Sequence, residues 1–188
     1  GVITGGLALA ANESPLARAA KTIAAAGLAG RIECRLSDGL SAVGEREADE
    51  IVIAGMGGDV IAGILSRCRW QTLNEKHFVL QPMTRAPFLR KWLWENGFSI
   101  EDERAAKAGG HLYTVMSASY DGMNRRCSAF EQYAGGLPGD PSEEAGEYLR
   151  WTAGGLLKKA GGICAKKPAE AQAVRQLAER LLQAARRF

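Results

Sequence analysis

Apolar and polar positions follow two periods along the first two thirds of the chain, and the two periods alternate. Leu7 to Ala11 is a short apolar run, and Asn12-Glu13-Ser14-Pro15 follows it. That predicts a strand and then a helix with Ser14 as its cap and Pro15 at its first position. Leu16 to Ala26 is an alanine-rich helix stopped by Gly27. Arg31 to Leu36 alternates as a strand, Ala48 to Ala54 is a second apolar strand, and Val60 to Cys68 has the spacing of a helix. Lys76 to Gln81 predicts a strand. In Ala86 to Asn96, Phe88, Leu89, Trp92 and Leu93 share one helical face, and Gly97 ends it. Phe98 to Arg104 and His111 to Ser119 predict two strands. The short polar connection Ala105 to Gly110 suits an antiparallel hairpin.

This order implies an α/β fold: a parallel sheet with helices on both faces, closed by an antiparallel hairpin. Gly1 to Gly6 reads as a loop leading into the first strand. The character changes after Asp121-Gly122. Residues 1–122 form the expected α/β domain, 123–141 the expected linker, rich in turn residues from Gly135 to Pro141, and 142–188 an α-helical hairpin. Its first helix, Ser142 to Ala160, carries a stripe of Tyr148, Leu149, Thr152, Leu156 and Leu157, and Gly161-Gly162 is expected to break it. Its second, Pro168 to Arg187, aligns Ala171, Val174, Leu177, Ala178, Leu181, Leu182 and Ala185.

Charge refines this division. Residues 1–141 hold 15 Lys and Arg against 16 Asp and Glu, while 142–188 hold nine against five. The basic surplus of the chain lies wholly in the helical hairpin. It reads either as a solvated helical face, the commoner case, or as a phosphate-contacting arm. The four cysteines, Cys34, Cys68, Cys127 and Cys164, are far apart and not adjacent to either histidine. They read as reduced thiols of a cytoplasmic protein, with no metal site expected. No apolar run approaches the roughly 20 residues of a membrane span, so no membrane partner is expected.

Three strand ends carry distinctive residues: Ser37-Asp38-Gly39-Leu40, Ala54-Gly55-Met56-Gly57-Gly58 and Gln81-Pro82-Met83. Ligands of open α/β sheets bind at the carboxyl ends of strands. In one parallel sheet these three ends converge. Asp38 can accept from an exocyclic amine, the glycines allow a ligand to approach the backbone, Gln81 offers donor and acceptor to a base edge, and Pro82 fixes its loop. Taken singly, Asp38 also reads as a turn residue, Gln81 as a helix cap, and Met56 and Met83 as packing residues.

The words Glu13-Ser14-Pro15-Leu16-Ala17-Arg18-Ala19, Arg35-Leu36-Ser37-Asp38-Gly39-Leu40, Ala48 to Gly58, Leu80-Gln81-Pro82-Met83 and Trp92 to Phe98 resemble the bacterial tRNA (adenine-22-N1)-methyltransferase family. That is a class I group dependent on S-adenosylmethionine. The resemblance implies a Rossmann-like methyltransferase sheet, which lacks its first strand here, and a coiled-coil-like helical appendage. It implies S-adenosyl-L-methionine as cofactor, tRNA as partner, and methyl transfer to N1 of an adenine. It implies cofactor contacts at Asn12, Ser37, Asp38, Gly39, Leu40, Ala54, Gly55, Met56 and Gly57. Substrate contacts are expected at Gly58, Gln81, Pro82 and Met83, and at Lys158, Lys159, Lys166 and Lys167 of the appendage. Two departures qualify this. The family's opening Asp-x-Gly-x-Asp-His strand end has no counterpart, and Ala10 stands where an acidic residue grips the ribose. Weak cofactor binding is therefore expected, and no general base is assigned; Asp59 reads as a helix cap before a base. The rival readings are a methyltransferase of another substrate class and a non-catalytic RNA-binding remnant.

Overall fold

The protein is described from a computed structural model, which covers residues 5–188. Of the loop expected over Gly1 to Gly6, residues 1–4 lie outside the described residues, and Gly6 already begins β1. Among the described residues, six strands and six α-helices follow one another: β1 (Gly6–Ala10), α1 (Glu13–Ala25), β2 (Ile32–Leu36), β3 (Glu50–Gly57), α2 (Gly58–Arg67), β4 (His77–Thr84), α3 (Ala86–Glu95), β5 (Phe98–Ala108), β6 (His111–Tyr120), α4 (Ala129–Ala134), α5 (Glu143–Ile163) and α6 (Pro168–Ala184). They fall into two compact units. One is Gly1–Asp49 with Gly63–Lys76, and the other is Glu50–Ala62 with His77–Phe188.

The first unit holds a two-stranded parallel sheet, β1 beside β2, with Gly6 opposite Ile32 and Ala10 opposite Leu36. Helix α1 begins two residues earlier than expected. Asn12 is its N-cap residue, with extended backbone and no side-chain cap bond, so Ser14 lies inside the helix. After β2 the chain is held by Arg35. Its guanidinium takes Glu47 with two bonds, at 3.0 and 3.1 Å, and donates to the Ala42 carbonyl at 2.7 Å. A planar guanidinium suits such two-pronged capture of a carboxylate.

The second unit holds a four-stranded sheet in the order β3-β4-β6-β5. The single sheet expected from the alternation is thus two hydrogen-bonded sheets among the described residues. β3 and β4 are parallel, and β6 is antiparallel to both β4 and β5. The expected polar connection Ala105 to Gly110 is mostly strand. Pairing runs on to Ala108 opposite His111, and the turn is Gly109-Gly110 alone. Both glycines have positive φ, which matches the twist of a two-residue hairpin. The core of this sheet is Phe78, Leu80, Met116, Ala118 and Phe98, with Leu89 and Leu93 of α3 fully buried. Phe98 meets Phe78 edge-on at 5.6 Å. Phe88, expected on the same buried face, is instead exposed beneath the Arg85 guanidinium, 4.8 Å from it.

The segment expected to be a linker is structured. Ser128 and Glu131 form a reciprocal capping box that starts α4, and a 3-10 turn spans Leu137–Gly139. Ala134 and Leu137 are fully buried with Ala145, Leu149, Ala153 and Leu156 of α5 and Ala178 and Leu181 of α6. Burying each leucine contributes about 1.5–3 kcal/mol. The α5 stripe therefore runs Ala145, Leu149, Ala153, Leu156, Ala160, while Leu157 faces out. Alanines let α6 approach closely, which a reading weighted toward large apolar residues misses. Helix α5 also passes through Gly161 and Gly162 to Ile163. Packing against α6 sustains what propensity alone would stop. The helical pair and the four-stranded sheet fall in one compact unit, Glu50–Ala62 with His77–Phe188.

A buried ion pair ties these layers together. Arg90 of α3 and Glu103 of β5 are both 0% exposed, with Nη2 to Oε1 at 2.7 Å and Nε to Oε1 at 3.0 Å. Arg90 Nη1 donates to the carbonyls of Gln132 at 2.7 Å and Tyr133 at 3.2 Å. Glu103 accepts from the Thr114 hydroxyl and, at 2.9 Å, from the Gly136 N–H. Burial works against the Arg90 charge, but Glu103 and Tyr148 outweigh it and hold the guanidinium above its ordinary range. A side chain at Gly135 would meet Glu103 Oε2 at 1.9 Å and Arg90 Nε at 2.4 Å, so only glycine fits over the pair.

Asp140 makes the second tie. It accepts the Ala105 N–H at 2.8 Å and the Ser142 N–H at 3.0 Å, joining the hairpin to the start of α5. Burial opposes its charge, but these donors and Arg104 hold its carboxyl below the usual range. A carboxylate lowered in this way contributes its stability in full above its unfolded pKa of about 3.9, and the contribution is lost as pH falls through the folded value. Asp140→Asn is expected to lower the unfolding free energy by about 1–3 kcal/mol at neutral pH. Urea melts should show the gap from the native chain closing below about pH 4. An equal gap at neutral and acid pH would contradict this assignment.

Candidate functional site

In the first unit, the loop after β2 is built by its own residues. The Ser37 hydroxyl donates to the Gly39 carbonyl at 2.8 Å and accepts the Ala42 N–H at 3.1 Å. Ser37 is buried, so its side chain shapes the loop and leaves the backbone and Asp38 to face outward. Gly39 has no room for a side chain, since a Cβ would stand 2.8 Å from Ile64. Asp38 is 77% exposed and takes one bond, from Arg67 at 3.1 Å, through a single carboxylate oxygen. Leu40 is half-buried and Asn12 exposed. Ala10 ends β1 and contributes its carbonyl to the Ser37 N–H at 2.9 Å.

In the second unit, the glycine word is the bulged end of a strand. β3 continues to Gly57 and α2 starts directly at Gly58. β4 likewise runs through Gln81, Pro82 and Met83 to Thr84, so Pro82 belongs to a strand and fixes no loop. Its missing N–H costs no ladder bond on the β6 side, where pairing of β4 ends at Leu80 opposite Met116. Pairing of β3 with β4 slips twice, between Ala54 and Met56 and between Met56 and Gly57. The slip leaves Gly55 out of the ladder at φ +75°, where glycine carries no steric penalty. Its displaced N–H is taken by the Gln81 side-chain carbonyl at 2.9 Å. Gln81 is thus a tether for the bulge, a role its sequence context did not reveal. A Cβ at Gly55 would find open space within 4 Å. β3 itself is buried on one face only: Ile51 and Ile53 are buried, while Val52 is 68% exposed and Met56 also faces out.

Gly58 is needed for a different reason. A Cβ there would stand 2.6 Å from the Arg85 carbonyl and 3.1 Å from Leu89 Cβ. Arg85 caps α3 in the left-handed region at φ +58°, the one non-glycine residue so placed among the described residues. Its side chain donates to Asp59 at 2.8 Å and covers the Phe88 ring. Asp59 is therefore engaged in holding Arg85.

Beyond β4, the second unit opens into a cleft of about 490 Å³. Its walls include Pro82, Met83, Tyr113, Tyr133, Tyr148 and Trp151. The aromatic wall went unnoticed in the sequence, because its members come from β6, α4 and α5. Lys158 lines the same cleft. Lys159 is exposed on α5, Lys166 is exposed in the turn, and Lys167 precedes α6 and pairs with Glu170 at 2.9 Å. The four cysteines are free thiols. Among the described residues, no three His, Cys, Asp or Glu side chains gather as a metal site.

A family model described as "Methyltransferase domain" matches residues 1–116. A tRNA (adenine(22)-N(1))-methyltransferase of Bacillus subtilis is 32% identical over 128 residues, covering 64% of this chain and 54% of that protein. The chain thus spans about half the length of the curated relative it matches. A crystal structure of a Streptococcus pneumoniae protein assigned to tRNA (m1A22) methylation superposes with a TM-score of 0.81 at 30% identity. It covers 95% of this chain and 82% of that one. The same protein in complex with S-adenosyl-L-methionine superposes with a TM-score of 0.75 at 28% identity, covering 97% of this chain and 80% of that one.

Close packing at the strand end yields a direct test. Gly58→Ala is expected to lower the unfolding free energy by about 1–3 kcal/mol, because backbone and not a flexible side chain must give way. Denaturant melts of this variant measure it, and an unchanged midpoint would contradict the reading.

Proposed function

The chain belongs to the methyltransferase-domain family and, within it, to the tRNA (adenine-22-N1)-methyltransferases, and from that premise we propose that the protein moves a methyl group from S-adenosylmethionine to N1 of an adenine in tRNA. The observation that carries the proposal is the bulged β3 end: Gly55 exposed at positive φ, beside open space, tethered by Gln81. Open space beside bare backbone suits a ligand lying against it. Taken unit by unit, the Ala54 to Gly57 edge leaves room for a ligand against backbone, while Ala10 offers no carboxylate to a ribose. Asp38 offers a free carboxylate oxygen to an amine, with Ser37, Gly39 and Leu40 shaping its loop and Asn12 at the start of α1. Ala54 to Gly57 offer an open backbone edge.

S-adenosylmethionine supplies an electrophilic methyl carbon on a sulfonium. Everything else falls to the protein. Adenine N1 is already a nucleophile when the base is neutral, so the contribution required is alignment and exclusion of competing poses. Gly58 and Pro82 are buried, so exposed Met83 and the open backbone of Ala54 to Met56 are the surface offered to the target base, and the bulge tethered by Gln81 keeps it fixed. Methylation leaves positive charge on the base, which loss of an exocyclic amine proton relieves. No described side chain at this strand end is free to act as a general base.

The exposed lysines Lys158, Lys159 and Lys166 are the proposed contacts to the tRNA backbone, with Lys167 shared with Glu170. Binding through such contacts weakens with salt. A tRNA substrate places the reaction in the cytoplasm. No helix among the described residues is long and apolar enough to cross a membrane. The test is methyl transfer by the full-length protein to an unmodified tRNA transcript. Reverse transcription should stall at one adenine, and the modified nucleoside should be N1-methyladenosine. Transfer to protein or small molecules without any to tRNA would overturn the proposal.

A further inference from the structure

Helix α5 contains a feature that packing does not explain. Gly154 and Gly155 sit in its interior, where each glycine costs about 1 kcal/mol relative to alanine. Apart from the helix's own backbone and the chain neighbours, neither has an atom within 4 Å of where a Cβ would stand. No close neighbour requires them, yet both line the aromatic cleft. They leave bare helix backbone as part of its floor. Trp151 stands beside them, 63% exposed, its ring 5.7 Å from Tyr148. A large exposed indole that meets Tyr148 on one side and unfilled backbone on the other offers a flat surface to solvent.

The surroundings define what fits. Tyr148, Trp151, Gly155 and Lys158 follow one another at helical spacing along α5. Lys158 has no ion-pair partner among the described residues. A second hollow of about 240 Å³ shares Met83, Tyr113 and Trp151 with the first and reaches His111 at the hairpin tip. The two form one trough that starts at the β4 end and crosses Trp151. Its walls are aromatic, its edge carries an unpaired cation, and the helical pair beyond it holds the basic surplus of the chain. Sequence-tolerant binding of single-stranded nucleic acid uses this combination: aromatic faces for bases and cations for phosphates.

We propose that this trough is a stacking site for an unpaired nucleotide of the RNA substrate, one that flanks the target adenine, with its base on Trp151 over Gly154-Gly155 and its phosphate at Lys158. The inference rests on the RNA-methyltransferase reading, and it adds a second base-binding position distinct from the strand end that faces the target.

The test is binding of a fluorescently labelled five-residue oligoadenylate to the full-length protein, read by anisotropy and, in parallel, by quenching of tryptophan fluorescence. Trp151→Ala should weaken binding at least tenfold, and Trp151→Phe should restore most of it. Gly155→Leu fills the trough at a position with free space and a better helix former, so it should weaken binding while the melting temperature holds or rises. Methyl transfer to tRNA is measured separately, which keeps the two readings apart. Transfer to tRNA with oligoadenylate binding unaffected by Trp151→Ala and Gly155→Leu would overturn the trough and leave the enzyme standing. Absence of oligoadenylate binding by the native protein would overturn the trough. Self-association abolished by Gly155→Leu would assign the trough to a second copy of the chain and overturn the proposal as well.

Discussion

Arg90 and Glu103 are a complete charge pair with no access to water, and the second unit is arranged around satisfying them. Removing a charge from solvent is costly, and an ion pair recovers that cost only when nearly every remaining donor and acceptor finds a partner. Here the partners come from β6 through Thr114, from the end of α4 through the Gln132 and Tyr133 carbonyls, and from the following turn through Gly136. The segment between sheet and helical pair is thereby fixed by electrostatics as well as by Ala134 and Leu137. Tyr148 of α5 adjoins the same pair. Burial, together with the Glu103 charge, pushes its phenol above the ordinary range against the pull of Arg90. The residue that anchors α5 to the pair is thus also a wall of the aromatic cleft.

The strand end depends on a smaller constraint of the same kind. A bulge frees one N–H from the ladder, and Gln81 answers it. The result is a glycine held at positive φ and an open backbone edge that does not collapse onto its neighbour. Arg85, strained at φ +58° and held by Asp59, closes the other side by pressing its carbonyl toward Gly58. The surfaces proposed for the target base and for the flanking nucleotide both begin at Pro82 to Thr84, so the conformation of β4's end couples them.

Periodicity made the order of elements legible, because alternation of periods 2 and 3.6 survives in Ile51 to Ile53, Phe78 to Leu80 and Leu89 to Leu93. The helical pair was legible in the same way from Ala171, Ala178 and Leu181. Ends of elements were not. Gly55 to Gly57 and Pro82 look like punctuation, yet pairing across the slipped register carries both strands past them. Gly161-Gly162 looks like a stop, yet α6 packs alongside and the helix continues. The order within residues 123–141 was not legible, because Ala134 and Leu137 are single apolar anchors among turn residues and the Arg90–Glu103 pair beside that segment joins residues 13 apart. The site words at Asp38, Gly55 and Gln81 stood out as motifs, but only coordinates show that Gln81 serves the bulge. The aromatic cleft had one local signal, an off-stripe Trp151 next to two helix-interior glycines.

The claim that the pair organises the unit is tested most directly by amide hydrogen exchange on the native chain and on Glu103→Gln. The substitution keeps the shape of the side chain and leaves the buried guanidinium uncompensated, at a cost of about 3–5 kcal/mol. The account predicts that protection falls together in β5, in α4 and in the first half of α5, from Ala145 to Ala153. Loss confined to β5 and β6, with α4 and α5 as protected as in the native chain, would contradict it.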